Sequence, residues 1–120
     1  MCIRDRDEPT IGQDHRQKEK LQHFILQLNS QKKTVVVVTH DVEFVAECNP
    51  RVILMRQGQI LLDGVAEKIL NNPDLLAQAS IVPPQITKIF LDLEDLGLPT
   101  DVIDVHEATK ILVNRLRKKL

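Results

Sequence analysis

The chain has 120 residues, 42% hydrophobic and 28% charged, which suits one small domain and lies far from the composition of disordered chains. Sixteen Lys and Arg against seventeen Asp and Glu give a net charge of −1. That balance excludes electrostatic adhesion of the whole chain to nucleic acid or anionic lipid, and no nucleic-acid partner is expected.

Residues 1–6, Met-Cys-Ile-Arg-Asp-Arg, show no apolar periodicity, no signal-peptide core and no capping logic. The bases ATG TGT ATA AGA GAC AG-, an end sequence of transposon-based DNA libraries, translate to this hexapeptide with Arg or Ser in sixth place. Residues 1–6 are therefore read as library-adapter sequence and set aside, with the natural sequence expected from Asp7 onward. From Asp14, a suitable N-cap, Leu21, Phe24, Ile25 and Leu28 recur at helical spacing, and Lys18 falls with Gln17, Glu19 and Lys20 on a solvated face. Thr34–Thr39 is continuously β-branched, which predicts a strand covered on both faces, as in a parallel sheet between helices. Asp41 caps a short helix over Val42–Cys48. Arg51–Met55 and Gln59–Leu62 flank Arg56-Gln57-Gly58 as a hairpin that Gly64 closes. The rest is expected to be helical: Val65–Asn71, Pro73–Ala79, Gln85–Leu96 ended by Gly97, and a last helix that Asp104 caps. Val105, Ala108, Thr109, Leu112, Val113 and Leu116 are expected on one face of that last helix. The change from mixed α/β to all-helical falls near Val65.

The most specific string is Asp7-Glu8-Pro9-Thr10-Ile11-Gly12-Gln13-Asp14, followed by the strand that ends Thr39-His40-Asp41. Together these resemble the ATP-binding-cassette ATPases. In that family a Walker B strand ends Asp-Glu-Pro-Thr, a D-loop follows, and the next strand delivers a switch histidine (the H-loop). Arg51–Gly64 is similar to the hairpin after that histidine in transporter ATPases. The resemblance implies an α/β fold in which residues 7–64 form the C-terminal half of a nucleotide-binding domain and 65–120 a small all-helical extension. Gln13 stands where Leu is usual, which resembles the energy-coupling-factor branch, whose ATPases drive uptake of vitamins and metal ions such as cobalt. Asn72-Pro73 and Pro83-Pro84-Gln85 followed by two helices is similar to the extension of that branch.

The resemblance implies ATP and Mg²⁺ as cofactors, with Asp7 as the metal ligand, Glu8 polarising the attacking water and His40 reaching a terminal phosphate. The chemistry suits these residue types. Phosphoryl transfer depends on positioning and charge stabilisation, a carboxylate suits a hard cation, and open α/β sheets bind ligands at their carboxyl edge. Asp14 is expected to serve both as helix cap and as a D-loop carboxylate facing the nucleotide of a second ATPase subunit. An integral membrane transport subunit is the other implied partner, which would hold the protein at the cytoplasmic face of the cell membrane. No Gly-rich phosphate loop ending in Lys-Ser/Thr, no Q-loop and no Leu-Ser-Gly-Gly-Gln run occurs in the 120 residues. The polypeptide alone, read as a truncated piece of such an ATPase, is therefore expected to be inactive. Residues 83–118 are expected to stay helical and protected in hydrogen exchange, and 1–64 to be poorly protected.

Other candidates are weaker. No apolar run exceeds four residues, as in Val35–Val38, so nothing spans a bilayer. No Trp or Tyr and three Phe leave no stacking platform for bases or sugars. Cys2 and Cys48 give neither a disulfide framework nor zinc spacing, and Cys48 reads as a buried structural thiol. His15 and His23 lack a third ligand and read as solvated. Arg115, Arg117, Lys118 and Lys119 complement a helix dipole. The alternatives are a non-transport ATPase of the same fold, a non-enzymatic dimerisation fragment, and a receiver-like reading of Asp41 that lacks its acidic pair and lysine.

Overall fold

Four valines between threonines lose side-chain freedom in a helix and fit a pleated sheet, and residues 34–38 form a strand in the computed structural model. The structure describes the backbone of residues 3–7, residue 12, and residues 14–119. In chain order the elements are β1 (Ile3–Asp7), α1 (His15–Ser30), β2 (Thr34–Val38), α2 (Val42–Cys48), β3 (Arg51–Arg56), β4 (Gln59–Val65), α3 (Ala66–Leu70), α4 (Pro73–Gln78), α5 (Gln85–Asp92), a 3₁₀ turn (Glu94–Leu96) and α6 (Val105–Lys119). The chain divides into two compact units, 1–44 and 45–120. The division falls inside α2 and groups the hairpin with the helices that follow it.

In the first unit, β1 and β2 pair in parallel from Ile3↔Thr34 to Asp7↔Val38. A parallel pair needs a long crossover, and α1 supplies it. Residues 3–6, set aside from the sequence as adapter, lie in β1. Asp14 caps α1 as expected, its Oδ1 accepting the Gln17 N–H at 2.9 Å. Of the apolar stripe on α1, Leu28 is buried, Leu21 and Ile25 are half-buried, and Phe24 is exposed. β2 differs from its expectation of cover on both faces. Its burial alternates, and Val36 and Val38 remain 45% and 60% exposed. The reason is that side chains alternate across a strand, and the face carrying Val36 and Val38 is left exposed.

In the second unit, β3 and β4 form an antiparallel hairpin with a register shift between Leu54 and Met55. Its two turn residues, Gln57 and Gly58, have φ of 49° and 74°, the pair of left-handed conformations that a type I′ turn demands. Gly64 does not close the hairpin, since β4 runs through it to Val65. Across the strands Arg51 donates to Asp63 from both Nε (2.8 Å) and Nη2 (2.5 Å), which holds the Asp63 carboxyl below its usual range.

Asn72 caps α4 through the Leu75 N–H, with Pro73 in the first turn, where its missing N–H costs nothing. The helical core gathers Phe90, Leu98, Val102 and Ala108, with Ile86, Leu93 and Ile111 packed against them. α5 stops at Asp92 rather than Leu96, because the chain tightens into the 3₁₀ turn, which Gly97 ends at φ 74°. Asp104 caps α6 as expected, accepting the Glu107 N–H at 3.2 Å. The buried face of α6 is a different one from that expected. Ala108 is buried and Ile111 and Arg115 half-buried, whereas Val105, Leu112, Val113 and Leu116 are exposed. Arg115 also does more than complement a dipole: its guanidinium donates to the carbonyls of Leu96 and, at 3.1 Å, Gly97.

Candidate functional site

In a parallel pair both carboxyl ends reach the same edge, the place where open α/β sheets bind ligands. β1 ends at Asp7 beside Val38, the last residue of β2, and His40 follows two residues later. The backbone thus brings the ends carrying Asp7 and His40 together, and leaves His40 exposed. Glu8, named from the sequence as the water-polarising group, lies outside the described residues, as does Gln13. The side chain of Asp7 is likewise not described.

The turn after β2 is built from polar side chains that bond to nearby backbone. Asp41 donates its N–H to Thr39 Oγ1 at 3.0 Å and accepts the Phe44 N–H on Oδ1 at 3.1 Å. The second bond is an N-cap that satisfies one of the orphan donors of α2, as the sequence predicts. Oδ2 accepts from Lys18 Nζ at 2.8 Å. Sequence reasoning missed Lys18, because helical periodicity assigns it to the polar face without saying which polar group it meets. Asp14 is exposed, with one oxygen committed to its helix.

The remaining candidates keep apart from this edge in sequence and chemistry. His15 and His23 are exposed, and His15 lies 3.5 Å from Glu19. Among the described residues no group of three or more His, Cys, Asp or Glu could hold a metal ion. Cys48 is half-buried rather than fully buried, and burial, with the nearby Glu47 charge, pushes its thiol up to about 11. No helix among the described residues is long and apolar enough to cross a membrane.

No family model matches the chain. It is 42% identical over 92 residues to a putative ABC transporter ATP-binding protein of Methanosarcina acetivorans, an alignment covering 77% of this chain and 15% of that protein. It is 37% identical over 87 residues to the energy-coupling factor transporter ATP-binding protein EcfA2 of Mycoplasmoides gallisepticum (72% of this chain, 27% of that one). With EcfA of Carboxydothermus hydrogenoformans the identity is 36% over 107 residues, covering 88% of this chain and 38% of its counterpart. The chain thus spans well under half the length of each of these relatives.

Proposed function

From the premise that this chain is homologous over most of its length to ATP-binding proteins of ABC transporters, we propose that it carries part of the ATP-hydrolysing site of an energy-coupling-factor-like importer. The observation that supports this reading best is the register Asp7↔Val38. It sets the carboxyl ends of β1 and β2 side by side, with an exposed histidine just beyond one of them.

In this reading Asp7 holds Mg²⁺. Its carboxylate is a hard oxygen donor at a strand end, which suits a cation that keeps most of its waters. The ion, when bound, neutralises charge that develops on the phosphates. Glu8 polarises the attacking water, and the His40 ring donates to a terminal phosphate oxygen. Asp14 faces the nucleotide of a second ATPase subunit while capping α1. A membrane subunit takes up the force of closure and selects the solute, a vitamin or a metal ion. The 120 residues contain no phosphate loop or signature run, so this polypeptide by itself is expected neither to bind nor to hydrolyse ATP.

The test is made in a longer ATPase that carries this segment behind a phosphate loop. Glu8→Gln is expected to cut turnover by about 10²–10⁴ while ATP-driven closure persists, and His40→Ala to depress turnover at unchanged folding. Unchanged hydrolysis in both variants would refute the reading.

A further inference from the structure

Lys18 belongs to a helix face that sequence periodicity gives to solvent, yet its ammonium lies 2.8 Å from Asp41, with 31% of the Lys18 side chain and 18% of that of Asp41 left exposed. A fully exposed pair of this kind holds two side chains loosely and contributes little. This one is partly withdrawn from water and bridges two elements that are separated by β2 in the chain. Asp41 engages both oxygens, Oδ1 with the Phe44 N–H and Oδ2 with Lys18, and its own N–H meets Thr39 Oγ1. His40 is therefore an exposed residue between two anchored neighbours.

The cap bond alone would fix Asp41 only to the start of its own helix. The lysine fixes it to α1, at the residue after Gln17, whose N–H is held by the Asp14 cap. We propose that Lys18 is a positioning residue for His40. By holding Asp41 it locks the Thr39–Asp41 turn against the first turns of α1, so that a displacement of α1 is carried to the imidazole. Its consequence for turnover rests on the reading of His40 as phosphate-facing; the positioning itself does not.

Two measurements test this. In the 120-residue chain, the ring signals of His40 in proton–carbon correlation spectra are followed in Lys18→Met and Lys18→Arg, with His23 and His106 as internal references. His40 is expected to shift in Lys18→Met and to return towards its original position in Lys18→Arg, while the references stay in place. If Lys18→Met fails to fold, Lys18→Gln, which keeps a donor, is expected to displace His40 part of the way. In a longer ATPase that carries this segment, Lys18→Met is expected to lower kcat on the order of ten- to a hundredfold with KM for ATP little changed, as misplacement of a catalytic group does. Unmoved His40 signals in the folded variants would overturn the proposal. So would a displacement that Lys18→Arg fails to reverse. A displaced His40 combined with full turnover in His40→Ala would uphold the positioning and remove the phosphate reading instead.

Discussion

Thr87→Val exchanges a hydroxyl for a methyl at nearly constant volume, in a side chain that is 0% exposed. Thr87 Oγ1 donates to the Val102 carbonyl at 2.9 Å, tying α5 to the segment that leads into α6. Removing the donor leaves a dry carbonyl unmatched, which costs about 1–3 kcal/mol. The added methyl returns at most about 0.8 kcal/mol of burial. The net expectation is a loss of roughly 1–2 kcal/mol, the deletion of the bond outweighing the gain in apolar surface. Thr87→Ser keeps the bond and removes the methyl, which costs about 0.5–1.5 kcal/mol on the scale of other single-methyl deletions. Urea unfolding followed by the helical circular-dichroism signal, with the slope m compared across variants, gives each difference. A Thr87→Val protein as stable as the original would refute the argument, for the hydroxyl would then contribute nothing that a methyl does not.

Gly97→Ala is expected to cost roughly 1–2 kcal/mol of backbone strain at its φ of 74°. It also sets a Cβ 3.4 Å from the Arg115 guanidinium, and urea unfolding reads the sum. In a Cys2→Ser background, Cys48 should alkylate at pH 8 about a hundredfold more slowly than in the denatured chain, because its thiol is raised from 9.0 to about 11. The same shift sets a pH dependence. The folded chain keeps the thiol proton longer, so this contribution is complete below about pH 9 and is lost as the pH rises towards 11. Alkaline unfolding curves with and without Cys48→Ala would reveal it. His40→Ala should leave stability within about 0.5 kcal/mol, as for other exposed positions, and a larger loss would mark the ring as structural.

The caps were readable from the sequence because they are local. Asp14, Asp41 and Asp104 each sit three residues before the amide that they satisfy, and Asn72, not named from the sequence as a cap, follows the same rule. The hairpin is legible in the two strand-like runs that flank Arg56-Gln57-Gly58, whereas the left-handed Gln57 and the place of Gly64 within β4 are not. Faces were harder to assign. α6 carries apolar residues on more than one side, and only its packing beside Phe90 and Val102 selects Ala108 and Ile111 for burial. At the candidate site, the residue types and their order along the chain suggested the carboxyl edge. The Lys18–Asp41 pair could not be inferred, since it joins positions 23 apart across β2 and no periodicity links them.

The four valines of β2 have one further consequence. A strand announces its alignment through differences between successive side chains, and a slip by one residue is normally penalised because it turns the apolar set outward. A run of identical side chains carries no such mark, since Val35 and Val36 are interchangeable to any neighbour. By its own side chains β2 could slide along β1 like an unnumbered ruler. What graduates the scale is the anchorage beyond the valines, where the Thr39–Asp41 turn is tied to α2 and to Lys18. The turn that bears His40 is thus anchored by side chains beyond the strand, where the valines themselves offer no mark of position.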